Sequence, residues 1–104
     1  MINIVIIGCG QIGSRHLQAL SKIKEGAYIY LVDTSAQSIK TSKERFKEVV
    51  NHNESNKFQI KVGEIDQIKN DIDIAIISTS SLIRASVTEK LLSYVTVKNI
   101  IFEK

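Results

Sequence analysis

Residues 1–33 read MINIVIIGCGQIGSRHLQALSKIKEGAYIYLVD, and the fold is decided within them. Ile2 to Ile7 is a nearly unbroken β-branched run, the pattern of a strand buried on both faces. Gly8, Gly10 and Gly13 follow at once as GxGxxG. About Gln11 to Lys24 carries Ile12, His16, Leu20 and Ile23 on one helical stripe, and Gly26 stands where a left-handed residue closes such a helix. A second strand run, Tyr28 to Val32, ends in Asp33, twenty positions after the last glycine. Strand, glycine turn, helix, strand and terminal carboxylate form the dinucleotide-binding pattern, and each part has a physical task. Gly8 permits the tight turn, Gly10 leaves no Cβ in the path of a pyrophosphate, and Gly13 lets the helix pack close to the strand. The helix amides then face the anion. Asp33 is placed to accept hydrogen bonds from the adenosine ribose, where its charge repels a 2′-phosphate, and neither Thr34 nor Ser35 brings a compensating cation. NAD is therefore expected over NADP, although Lys40 or Lys43 has the reach to approach a phosphate. The competing structural reading gives the glycines to the turn alone and Asp33 to capping the next helix.

The alternation continues along the chain. Phe58 to Val62, Ile72 to Ile77 and Asn99 to Phe102 read as strands, separated by candidate helices at about Ala36 to Val50, Glu64 to Lys69 and Leu82 to Tyr94. In the second helix Ile39, Phe46 and Val50 point inward, Lys40, Lys43, Glu44 and Lys47 outward, and Thr34 or Ser35 can cap its start. In the last, Ile83, Val87, Leu91 and Tyr94 align, with a serine ahead as cap. Asn51 to Asn56 is a polar loop. This order predicts an α/β fold with a doubly wound open parallel sheet, strand order 3-2-1-4-5 and right-handed crossovers. The ligand crevice belongs at the carboxyl ends of the first and fourth strands.

Composition narrows the classes. A length of 104 residues fits one domain, with 43% hydrophobic and 24% charged residues as in ordinary globular chains. The net charge of +3 is scattered, and the basic face around Lys40, Lys43, Arg45 and Lys47 has no interleaved aromatics, which argues against nucleic acid. The first apolar run stops at Gly8, too short for a membrane span and without a signal peptide's basic start. Cys9 is the single cysteine, so no internal disulfide or multi-cysteine metal site can form and a reducing cytoplasm is expected. Cys9 also lies where a helix N-terminus lowers thiol pKa, yet its backbone is the expected contributor. His16 reads as a core histidine, His52 as solvated, and Arg15 as either a phosphate contact or a solvent-facing side chain. Asp71 and Asp73 read as turn residues beside the fourth strand.

GCGQIGSRH at 8–16, VD at 32–33, DIAIISTSS at 73–81 and EK at 103–104 together resemble the N-terminal Rossmann domain of the Gfo/Idh/MocA oxidoreductases. The resemblance implies that Gly8, Gly10, Gln11, Ile12 and Gly13 surround the pyrophosphate and that Asp33 holds the ribose. It further puts Ser78, Thr79 and Ser80 near the nicotinamide half, Glu103 at the nicotinamide ribose, and Lys104 as the site lysine facing the substrate oxygen. Two residues depart from the family pattern: Ser80 stands where proline is common and Arg84 where a histidine often sits. They resemble a subgroup acting on sugars in surface-polysaccharide pathways. Family members continue into a substrate-binding domain with an acid/base histidine, so residues 1–104 are expected to be the cofactor domain of a longer enzyme acting on a sugar or polyol, binding cofactor without turnover. The fifth strand would then expose Val97, Ile100, Ile101 and Phe102 and favour self-association. Two other classes use related loops. A nucleotide-sensing regulatory module would not be expected to end a fifth strand in Glu-Lys, and a methyltransferase usually carries GxGxG.

Overall fold

The computed structural model describes residues 2–8, 26–49 and 58–103. In chain order these form β1 (Ile2–Ile7), β2 (Ala27–Val32), α1 (Ala36–Val49), β3 (Phe58–Val62), a 3₁₀ turn (Ile65–Gln67), β4 (Ile72–Ile77), α2 (Ser81–Tyr94) and β5 (Val97–Phe102). The expected helix at about Gln11 to Lys24, with Arg15 and His16, and the loop at Asn51 to Asn56, with His52, lie outside the described residues, as do Val50 and Cys9.

One sheet holds all five strands in the order β3-β2-β1-β4-β5, and every adjacent pair is parallel. The expected fold class and order are therefore found. The register sets Ile6 between Leu31 and Ile76, so β1 forms the middle of the sheet. Its Ile4, Val5 and Ile6 are fully buried, as the unbroken β-branched run requires.

Apolar side chains fill both faces. On one face Val5, Ile7, Tyr30, Ala75 and Ile77 meet Leu91 of α2 together with Ile65 and Ile68. On the other, Ile4, Ile6, Ile29, Leu31 and Ile76 meet Phe46 of α1 and Phe58 of β3, whose rings stand edge to face at 5.3 Å. Burial pushes the Tyr30 hydroxyl above its usual pKa, and neighbouring Tyr28 adds to the shift.

Local chemistry explains the element ends. The Ser35 hydroxyl accepts the Ser38 amide at 3.1 Å and caps α1, one of the two residues expected there. Ser80 takes the cap position of α2 but makes no side-chain capping bond. The segment expected as a helix at Glu64 to Lys69 is a three-residue 3₁₀ turn instead. Gln67 accepts the Glu64 amide at 2.7 Å and closes the turn, leaving Ile65 and Ile68, three apart, both buried. Along α2 the expected stripe is only half inward: Leu91 is buried and Val87 partly so, whereas Ile83 and Tyr94 are about half exposed.

Asp73 requires a correction. It lies within β4 rather than in a turn, and its carboxylate accepts the Asn3 amide of β1 at 2.8 Å while pairing with Lys98 of β5 at 3.3 Å. The Asn3 hydrogen bond, followed by Lys98, holds the Asp73 carboxyl below the ordinary aspartate range. Asp73 thus ties three strands together at the amino end of the sheet, opposite the site below.

Candidate functional site at the carboxyl edge of the sheet

The residues that leave the strands are still held by the sheet. Gly8 donates its amide to the Val32 carbonyl at 2.8 Å, Ser78 to Ile7 at 2.8 Å, and Glu103 to Ile77 at 2.9 Å. Asp33, Gly8, Ser78 and Glu103 therefore stand side by side across the carboxyl edge. Strand order reverses at β1, because β2 and β3 extend to one side and β4 and β5 to the other. A crevice must open where the connections diverge, the usual ligand position in such sheets.

A cleft of about 390 Å³ occupies that place. Its polar wall comes from Gly8, Asp33, Ser78, Thr79 and Ser80, and its apolar wall includes Ile65, Ile83 and Val87. Glu64 and Lys90 add one charge of each sign. Volume and mixed lining suit a small organic ligand.

Gly8 shows why glycine is needed at this point. Its φ is +89°, in the region that side chains disfavour, and a Cβ there would lie 3.0 Å from the Ser78 carbonyl carbon and oxygen and 3.1 Å from the Thr79 nitrogen. The first glycine of the motif thus lets the β1 and β4 loops approach backbone to backbone. Asp33 has a structural task as well, since its Oδ1 accepts the Ser35 amide at 2.9 Å. Helix entry and cleft lining are therefore duties of one carboxylate, and the two sequence readings of Asp33 do not compete.

Ser78 Oγ and Thr79 Oγ1 are buried without a hydrogen-bond partner among the described residues. Buried hydroxyls are normally satisfied. The cleft itself brings Asp33 and the Gly8 backbone together with Ser78, Thr79 and Ser80, a lining suited to a ligand rich in hydroxyl and phosphoryl oxygens. A nucleotide fits that lining: sugar hydroxyls can donate to Asp33, and a phosphate can pass Gly8 without meeting a Cβ.

Of the residues expected at the site, Gly8, Asp33, Ser78, Thr79 and Ser80 are brought together in the cleft. Glu103 shares the edge without lining the cleft. Gly10, Gln11, Ile12, Gly13 and Lys104 lie outside the described residues. Sequence reasoning missed Glu64, Ile65, Ile83, Val87 and Lys90 as lining; Ile83 and Val87 carried a signal, one apolar stripe, which reads equally as core. It also missed a contact of Arg84, whose Nη2 donates to the Glu103 carbonyl at 3.3 Å while the guanidinium lies 5.5 Å from the Phe102 ring centre. Among the described residues no group of three His, Cys, Asp or Glu could hold a metal, and no helix is long and apolar enough to cross a membrane.

Known proteins share this architecture. A diketoreductase structure superposes with a TM-score of 0.65 at 17% identity, over 98% of this chain and 40% of that one. Trichomonas vaginalis lactate dehydrogenase, solved in complex with NADH and oxamate, superposes with a TM-score of 0.68 at 15% identity, over 98% of this chain and 38% of that one. At these identities the likeness is one of fold, and the chain spans about two fifths of either enzyme. None of the curated proteins matches it. The profile of the Gfo/Idh/MocA oxidoreductase family, NAD-binding Rossmann fold, matches residues 2–104, and with the parallel sheet and the cleft at its switch point this establishes that the chain belongs to that family.

Proposed function

We propose that the chain binds NAD, in preference to NADP, across the carboxyl ends of β1 and β4, as the cofactor part of an oxidoreductase that exchanges hydride with a sugar or polyol. The observation that carries the reading is Asp33 lining the same cleft as Gly8 and the Ser78, Thr79 and Ser80 loop. A carboxylate at the end of β2 favours ribose hydroxyls and repels a 2′-phosphate. NADH in the lactate dehydrogenase of the same fold is further support for a nicotinamide cofactor.

In this proposal Gly8, Gly10, Gln11, Ile12 and Gly13 pass the pyrophosphate, and Asp33 orients the adenosine ribose. Ser78, Thr79 and Ser80 face the nicotinamide half, and Glu103 meets its ribose. Lys104 directs its ammonium to the substrate oxygen whose charge changes during hydride transfer. The bound dinucleotide supplies the hydride acceptor or donor. The sugar or polyol class rests on the family resemblance at Ser80 and Arg84. A cytoplasmic location rests on the single cysteine, Cys9. Since the chain spans about two fifths of the enzymes it resembles in fold, binding without turnover is proposed for these residues on their own.

Calorimetric titration with NAD, NADP and S-adenosylmethionine tests the assignment. NAD is expected to be the tightest ligand, and Gly10→Val is expected to abolish binding of either dinucleotide while the fold persists. NADP or S-adenosylmethionine as the tighter ligand would overturn it.

A further inference from the structure

We propose that Arg84 is a positioning residue: it clamps the chain as it leaves β5 and so sets where Glu103 stands beside the nicotinamide half of the site. The Glu103 amide donates to Ile77 of β4 at 2.9 Å, and its carbonyl accepts Arg84 Nη2 of α2 at 3.3 Å. Both backbone groups of one residue are thereby held, from two different elements. The preceding residue is held as well, since the guanidinium lies over the Phe102 ring at 5.5 Å, within cation–π range.

The holding element matters. Arg84 sits in the first turns of α2, which begins right after Ser78, Thr79 and Ser80. Through Arg84 the outgoing end of β5 is therefore tied to α2, the helix that follows the cleft-lining loop, rather than only to its neighbouring strand. The clamp carries a cost, because Arg84 Nε is buried with no hydrogen-bond partner among the described residues. A shorter apolar side chain would avoid that cost but would leave the Glu103 carbonyl without this donor. Arginine suits both contacts at once, since its fork can donate to a carbonyl while its charge lies within cation–π range of the ring.

The functional part of this inference rests on the dinucleotide reading, and the test separates the two. Amide hydrogen exchange on Arg84→Met should accelerate at Glu103 by roughly three- to tenfold, while the amides of β1 keep their rates. In parallel titrations, NADH should bind Arg84→Met about tenfold more weakly while ADP, which lacks the nicotinamide half, binds unchanged. Arg84→Lys, which keeps a cation with a single donor, should recover part of both effects, and it reads the same exchange should the methionine variant not fold. Unchanged exchange at Glu103, or equal loss of NADH and ADP affinity, would overturn the proposal. If NADH fails to bind the unmodified chain, the dinucleotide reading and the functional part of this proposal fall together, while Glu103 exchange still decides whether Arg84 is the clamp.

Discussion

At the scale of single residues, the site is governed by positions that do two things at once. Gly8 joins a positive φ to a backbone contact with Ser78 and Thr79. Gly8→Ala should therefore cost about 1–3 kcal/mol of stability from the left-handed backbone and the close Cβ contacts, read as a lower denaturant midpoint. Asp33 joins a helix-entry bond to Ser35 with its place in the cleft, so two substitutions can divide its roles. Asp33→Ala should weaken NAD binding by roughly 1.5–3 kcal/mol and narrow the preference over NADP, with some loss of stability as the Ser35 amide loses its acceptor. Asp33→Asn keeps an acceptor oxygen and should narrow the preference with the smaller stability loss. Equal discrimination between NAD and NADP in all three proteins would remove Asp33 from the account. The glycine spacing and Asp33 were readable in the sequence because their geometry is local to one βαβ unit. The Arg84 contact with Glu103 was not, since it spans 19 positions and exists only once β5 is paired beside β4.

At the scale of elements, strands were more legible than helices. A β-branched run such as Ile72 to Ile77 announces itself, whereas Glu64 to Lys69 carries two apolar residues three apart, which a 3₁₀ turn satisfies as well as a helix does. The half-exposed Ile83 belongs to the α2 stripe by spacing, but it sits at the cleft end of the helix, where a ligand rather than a neighbouring helix would cover it. Deeper along the same stripe Leu91 is fully buried, so Leu91→Ala should cost about 2–5 kcal/mol in chemical denaturation. The opposite end of the sheet yields a pH prediction. Asp73 is held below its ordinary pKa, first by the Asn3 amide and then by Lys98, so its ionised form favours the folded state. That contribution is complete above the unfolded aspartate value near pH 4 and disappears as pH falls through the lower folded value. The stability gap between the unmodified chain and Asp73→Asn should accordingly be widest near neutrality and close on acidification. A gap that stays constant down to about pH 2 would show that the carboxylate charge contributes nothing.

At the scale of the whole molecule, topology does the assembling: a sheet that reverses its order at β1 places a crevice between the β1 and β4 loops whatever side chains line it. That much followed from the βα alternation, because parallel strands with short connections admit few orders. The two sheet edges differ. Each edge carries an exposed lysine, Lys61 on β3 and Lys98 on β5, a charge of the kind that discourages strand addition, but β3 exposes one large apolar residue, Val62, where β5 exposes two, Ile101 and Phe102. We propose self-association through β5 or the adjoining α2, with sedimentation expected to give a mass that rises with concentration and Ile101→Lys expected to reduce it; a strict monomer at high concentration would contradict this. The central claim is that a nicotinamide dinucleotide lies along the carboxyl edge, and amide chemical-shift mapping with NADH tests it most directly. Shifts are predicted at Gly8, Asp33 and Ser78 to Ser80, with Asn3, Asp73 and Lys98 at the opposite edge unmoved. Shifts concentrated at that opposite edge, or none at saturating NADH, would contradict the account.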